Sequence, residues 1–270
     1  MNPVDIDQVE ICRLAVDSPL KWIWQGWVDF QRAPIIGLCH GGVIALSGLL
    51  MLILFYDNFW FLAALCTGFL AVAPVVAVGL YAVSQALEQQ RAVSFKLVLD
   101  TWWSWRGHPT HDWRLIRFGL LLCWSGAGWV LTSVAFFTLF SDRPIHQPLD
   151  FIRYVLLSND NHLFEFWWVL GVAMAAPVFA STVITLPLLL ERKIAILDAV
   201  VISWKVILQN PIPMVCWAVL LFIGTMLGAI LVVGCLISVP VLGHASWHVY
   251  RASVNADKLP LRVSGNASVP

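Results

Sequence analysis

Long apolar runs alternate along this chain with shorter segments in which polar residues return every third, fourth or seventh position. The stretch Ile194 to Pro211, reading IAILDAVVISWKVILQNP, shows the pattern most plainly. Coiled at 3.6 residues per turn, it gathers Asp198, Lys205 and Gln209 onto one narrow stripe and leaves the rest of the helix apolar. Such a helix suits the surface of a bilayer, its wide apolar face in the lipid boundary and its thin stripe in water. The design recurs in Pro19 to Pro34, where Lys21, Gln25, Asp29 and Arg32 form the stripe beside Trp22, Ile23, Trp24, Trp27 and Phe30. It recurs again in Ala92 to Pro109, with Lys96, Asp100 and Ser104 opposite Phe95, Val98, Leu99, Trp102 and Trp103. Trp27, Trp102 and Trp204 each stand seven residues before a proline, namely Pro34, Pro109 and Pro211. They are the expected interfacial anchors, because the amphipathic indole favours the headgroup level.

After each of these prolines the chain turns strongly apolar. Ile35 to Tyr56 and Phe59 to Val83 are each long enough to cross a hydrocarbon core of about 30 Å, with Asp57 and Asn58 as a tight polar turn between them. Further spans are expected over Leu115 to Phe140 and Phe166 to Leu190. The last run, Ile212 to Tyr250, would make a single helix of about 60 Å, so two spans with a turn at Gly224 to Gly228 are expected instead. The predicted fold is an all-α membrane protein with six transmembrane helices in three hairpins, each hairpin preceded by a Trp-rich amphipathic interfacial helix. Three pseudo-repeats, about 19–91, 92–193 and 194–251, would fill one membrane domain over 19–251. Residues 1–18 and 252–270 are expected to be cytosolic tails, the first of them poorly ordered.

Composition agrees, with 60% hydrophobic residues, 12% charged residues and a mean hydropathy of +0.80, outside the range of soluble domains. The net charge is zero, yet the basic residues are unevenly placed. With six spans and both termini inside, fourteen of the sixteen Lys and Arg residues fall on the cytosolic side, leaving only Arg143 and Arg153 outside. No basic face is concentrated enough for a nucleic acid partner. The six cysteines show no paired spacing, which argues against a disulfide framework or zinc finger. The acidic N-terminus, with Asp5, Asp7 and Glu10, lacks the features of a cleaved signal peptide.

Four blocks occur in order: PLKWIWQGWVDFQRAP, GFLAVAPVVAVGLYAVSQALE, ITLPLLLERKIAILDAVVISWKVILQNP and VPVLGHASWHVYR. Together they resemble a bacterial family of integral membrane proteins of uncharacterised function, some of whose members carry a label of cytochrome c oxidase subunit. The resemblance spans Pro19 to Arg251 and implies a multi-pass protein of the bacterial inner membrane. A respiratory complex is then a candidate partner. A catalytic oxidase subunit would need many transmembrane histidines, and these spans hold few.

Three groups could carry chemistry. His244 and His248 lie one helical turn apart, and His40 sits six residues past Pro34 at a similar depth, so the three could share a metal or haem. No accompanying acid is evident in these spans. Glu88, Glu191 and Asp198 lie at helix ends, where pairing with Arg91, Arg192 or Lys193 is expected. Pro74, Pro187 and Pro240 interrupt the second helix of each hairpin, either as packing kinks or as the broken helices of a transport site. Walker, dinucleotide, GxSxG and HExxH motifs are absent. The expectation is a non-catalytic membrane scaffold or accessory factor for a partner protein or lipid, with transport, lipid handling and metal or haem binding as the alternatives.

Overall fold

The computed structural model describes residues 9–105, 112–157, 162–230 and 234–262. Twelve α-helices are described, labelled here α1 to α12 in chain order. Five stretches are long and apolar enough to cross a membrane: Pro34–Phe55, Phe59–Glu88, Arg114–Phe140, Leu163–Glu191 and Pro211–Ile230. The protein is therefore an all-α membrane protein. It divides into two compact units, the first of residues 1–45, 74–118 and 180–270, the second of residues 46–73 and 119–179.

The first unit holds the three amphipathic helices, α1 (Ser18–Arg32), α5 (Phe95–Trp103) and α10 (Ile196–Gln209). Helix α2 (Pro34–Phe55) starts on Pro34 and α11 (Pro211–Ile230) starts on Pro211, where proline's missing N–H costs nothing. Ala33 and Asn210, the residues before these prolines, share a backbone conformation, with φ −135° and ψ 53° in one and φ −130° and ψ 53° in the other. A following proline disfavours the α region, so each amphipathic helix ends there. Pro109 lies outside the described residues.

Helix α12 (Cys235–Ser253) is the hub of this unit, packing against α1, α11, α4 (Val78–Glu88) and α9 (Thr185–Glu191). It packs tightly on α1 at Gly26, where a Cβ would stand 2.4 Å from the Val241 carbonyl oxygen. No side chain larger than hydrogen fits that crossing. The expected turn at Gly224 to Gly228 is not there, since α11 runs unbroken to Ile230 and the chain next becomes α-helical at Cys235. Both glycines instead face α12, and a Cβ at Gly228 would stand 2.2 Å from Ser238 Oγ. Glycine weakens a helix only modestly, so packing decides its use here.

The proline breaks have local causes. Helix α8 (Leu163–Thr182) ends just before α9, and the break falls one turn ahead of Pro187, whose ring displaces the carbonyl four residues back. Buried Ser203 of α10 repairs it, donating to Ala180 O at 2.6 Å and accepting from Ile184 N at 3.3 Å. Helix α3 (Phe59–Val76) likewise stops two residues after Pro74, and α4 resumes past Ala77. Pro240 stays inside α12. Helix α4 closes with Gln90 at φ 53°, while Arg91 N and Gln90 N bond Ala86 O and Leu87 O. That is a Schellman ending built on a residue other than glycine.

The N-terminal segment from Val9 onward is less loose than expected. Glu10–Ile11 (β1) pairs antiparallel with Val254–Asn255 (β2), and the Leu14 amide donates to Asn210 Oδ1 at 2.8 Å. The second unit is held by aromatic rings. Phe137 is buried with Ile145, Val155 and Leu163, and Phe59, Phe151 and Trp167 pack around it. Trp167 Nε1 donates to buried Ser133 at 3.0 Å. Asp150 caps α7 (Pro148–Phe151) by accepting from the amides of His146 and Gln147.

Candidate functional site

The most developed polar site lies where α1, α4 and α12 meet inside the first unit. Spacing of four residues puts His244 and His248 on one side of α12, as the sequence indicates. His248 Nε2 bonds Asp29 Oδ2 at 2.8 Å, and His244 Nδ1 bonds Ser84 Oγ at 2.8 Å. The two bonds form two pairs in one corner, Asp29 with His248 and Ser84 with His244. Asp29 was expected on the water-facing stripe of α1 with Lys21, Gln25 and Arg32. It is only 5% exposed, on the face that also buries Trp22, Gly26 and Phe30, while the other three are exposed. Burial pushes the Asp29 carboxyl up, but the bond to His248 and the polar surround of Ser84 outweigh it and hold the group below the usual carboxylate value.

The acid that the spans lack thus arrives from a neighbouring helix. Asp29 and Ser84 are the members of the site that sequence reasoning missed. The available signal was the face itself, since Trp22, Gly26, Asp29 and Phe30 follow helical spacing. His40 sits nearby on α2, against Gly79, where a Cβ would stand 3.0 Å from its Nε2. Its Nδ1 lies 2.9 Å from the Ile36 carbonyl oxygen, which can only accept, so Nδ1 carries the proton. Among the described residues no three His, Cys, Asp or Glu side chains gather as a metal cluster.

A second network closes the ends of α4, α9 and α12. Glu191, 7% exposed, accepts from Arg192 Nε at 3.1 Å and from the Tyr250 hydroxyl, with Arg251 Nη1 at 3.7 Å. Its pairing with Arg192 is as expected. Glu88 does not turn to Arg91; it accepts from Arg251 Nε and Trp247 Nε1, both at 3.0 Å. Asp198 makes no ion pair among the described residues. The segment after β2 straps this region, for Arg192 donates to Leu259 O and Lys193 N to Pro260 O. The strap ends in a clasp: Arg262 lies 3.6 Å over the Trp105 ring and bonds Asp112 Oδ2 at 3.0 Å, and Arg114 holds the same carboxylate. The aspartate is what lets two guanidinium groups share one buried corner.

The amphipathic helices keep apolar stripes on the surface. On α10 these are Leu197, Val201, Trp204 and Leu208, following helical spacing, and on α5 they are Phe95, Leu99, Trp102 and Trp103. Helix α1 exposes Leu20 and Trp24. Trp204 also donates to Ser181 Oγ at 3.0 Å, Trp102 stands edge-on to His40, and Trp27 lies half-buried against Phe30. An open groove of about 340 Å³ between α1, α11 and α12 is lined by apolar side chains, glycines and Ser238.

Residues 61–191 match the model of a family described as a predicted integral membrane protein (DUF2189). The stretch contains the block GFLAVAPVVAVGLYAVSQALE and the start of ITLPLLLERK, so the resemblance read from those residues is shown there. No curated protein and no solved structure matches the chain.

Proposed function

We propose that this integral membrane protein is a non-catalytic scaffold or accessory factor that holds a partner protein or lipid at the surface of the bacterial inner membrane. The observation that carries the reading is the pair of exposed apolar stripes on α5 and α10, on helices whose buried faces already pack inside the first unit. A helix pinned by its inner face and apolar on its outer one is suited to rest in the lipid boundary. In this reading α1, α5 and α10 lie along the cytosolic leaflet, anchored by Trp27, Trp102 and Trp204. Each opens one of three pseudo-repeats, an arrangement supported by the matching backbone at Ala33 and Asn210.

Helix α12 is then the sixth span. It is more polar than the five longer stretches, and its His244, Trp247 and Tyr250 are shielded by protein instead of lipid. An even number of spans keeps both termini in the cytosol with most of the basic residues. The polar networks favour a structural role, since Asp29, Glu88, Glu191, Arg192 and Arg262 are spent on contacts within the chain.

The test is purification from the native membrane in a mild detergent, with identification of proteins recovered at stoichiometric amounts. A defined partner, such as a respiratory complex subunit, or a defined lipid species supports the proposal. Recovery of the chain alone and free of lipid overturns it.

A further inference from the structure

Within the second unit, the segment between α6 (Arg114–Phe140) and α8 repeats the surface design of α5 and α10. Helix α7 runs on without a break into a π-helical turn, Ile152–Leu156: Ile152 keeps α-helical angles, and Leu157 N reaches back five residues to Ile152 O at 2.9 Å. The resulting helix, Pro148–Leu156, has two apolar faces. Its inner face is docked. Phe151 stacks on Phe59 with ring centres 5.5 Å apart and meets Phe137 and Trp167 edge-on, while Val155 is buried in the same cluster. Its outer face, made of Leu149, Ile152 and Leu156 at helical spacing, is exposed.

What covers the outer face follows from where the inner one docks. Phe137 lies one turn from the end of α6, Trp167 one turn from the start of α8, and Phe59 at the start of α3. All three helices belong to stretches long and apolar enough to cross a membrane, so Pro148–Leu156 lies across the ends of the spans. At that level α6 exposes Leu139 and Phe140, and α8 exposes Phe166, side chains that a span turns to lipid. The stripe continues this lipid-facing surface. Trp60, Trp167 and Trp168, in the first turns of α3 and α8, mark the same level as the membrane interface.

The charges fit a lipid surface as well. Arg153 is exposed between Leu149 and Leu156, and Arg143 lies 5.0 Å over the Tyr154 ring. A guanidinium whose stem rests along an apolar surface carries its charge up to the headgroup phosphates. Asp150, the one acid of this helix, is turned to the amides of His146 and Gln147.

We propose that Pro148–Leu156 is a membrane-surface anchor, with Leu149, Ile152 and Leu156 in the lipid boundary at the ends of α6 and α8. On the topology proposed above this is the outer leaflet, and the lipid contact itself does not rest on that assignment.

The test places a benzophenone-bearing amino acid at Leu149, Ile152 or Leu156 of the full-length chain, in vesicles of phosphatidylethanolamine and phosphatidylglycerol. Photoadducts are identified by mass spectrometry. Phospholipid adducts at each position should exceed those at exposed His146 by about tenfold or more. Chain-to-chain adducts would make the stripe an interface between copies, and lipid yields no higher than at His146 would leave it in water; either result overturns the proposal. A carbene reagent dissolved in the lipid needs no variant and reads the wild-type chain. Label on Leu149, Ile152 and Leu156 supports the anchor, whereas a stripe left unlabelled refutes it. Neither measurement needs a bound partner, so the anchor can fail while the scaffold reading stands, and the reverse.

Discussion

Removing the Asp29 carboxylate tests the polar corner directly. Asp29→Ala takes away the partner of a 2.8 Å bond to His248, in a place only 5% exposed. Hydrogen bonds to a charged group contribute about 1.5 to 3 kcal/mol each when lost from a buried site. The His248 side chain is 18% exposed and regains some solvation, so the lower half of that range applies to it. The expected loss is about 2 kcal/mol, which for a chain of this size lowers the unfolding temperature by roughly 4 to 8 °C. The assay is unfolding in mixed micelles followed by tryptophan fluorescence. A double-mutant cycle with His248→Ala should return a coupling of about 1.5 kcal/mol or more. A loss under about 0.5 kcal/mol with no coupling would mean that Asp29 faces solvent and that its bond to His248 does not exist.

Three further outcomes are expected. Ser203→Ala should cost about 1 to 3 kcal/mol, because it strands the Ala180 carbonyl and the Ile184 amide at the α8 to α9 break; amide exchange at Ile184 should rise with it. Gln90→Gly should stabilise by about 0.5 to 1 kcal/mol, since φ 53° suits glycine and strains glutamine, and the same unfolding assay reads it. Asp112 gives an acid dependence. Burial pushes its carboxyl up, but Arg114 and Arg262 outweigh that and hold it below the usual value. A carboxyl depressed on folding adds stability that is whole above about pH 4 and is lost as pH falls through the folded value. Asp112→Asn should therefore flatten the acid limb of a stability profile taken below pH 4.

Much of the architecture is legible in the sequence because lipid imposes long, simple patterns. The apolar runs mark the spans, and Pro34 and Pro211 mark helix starts, since a proline disfavours helix in the residue before it. Asp29 is illegible for the opposite reason. Its spacing from Gln25 and Arg32 fits a water-facing stripe, and only the approach of α12 at Gly26 turns that edge inward. Gly224 and Gly228 suggest a turn for the same want of context, as a glycine that admits a neighbouring helix and one that bends the chain look alike. The pairing of Glu88 with Arg251 joins residues far apart in sequence, beyond the reach of local spacing.

The central claim, that the amphipathic helices lie in the membrane surface, is tested most directly by spin labels on the exposed positions Leu197, Val201 and Leu208 of α10. Their depths follow from collision with oxygen and with a water-soluble relaxing agent. Labels along the stripe should be oxygen-accessible and sit at one shallow depth from end to end. Depths that change steadily along the helix, or labels reached only by the aqueous agent, would contradict the account.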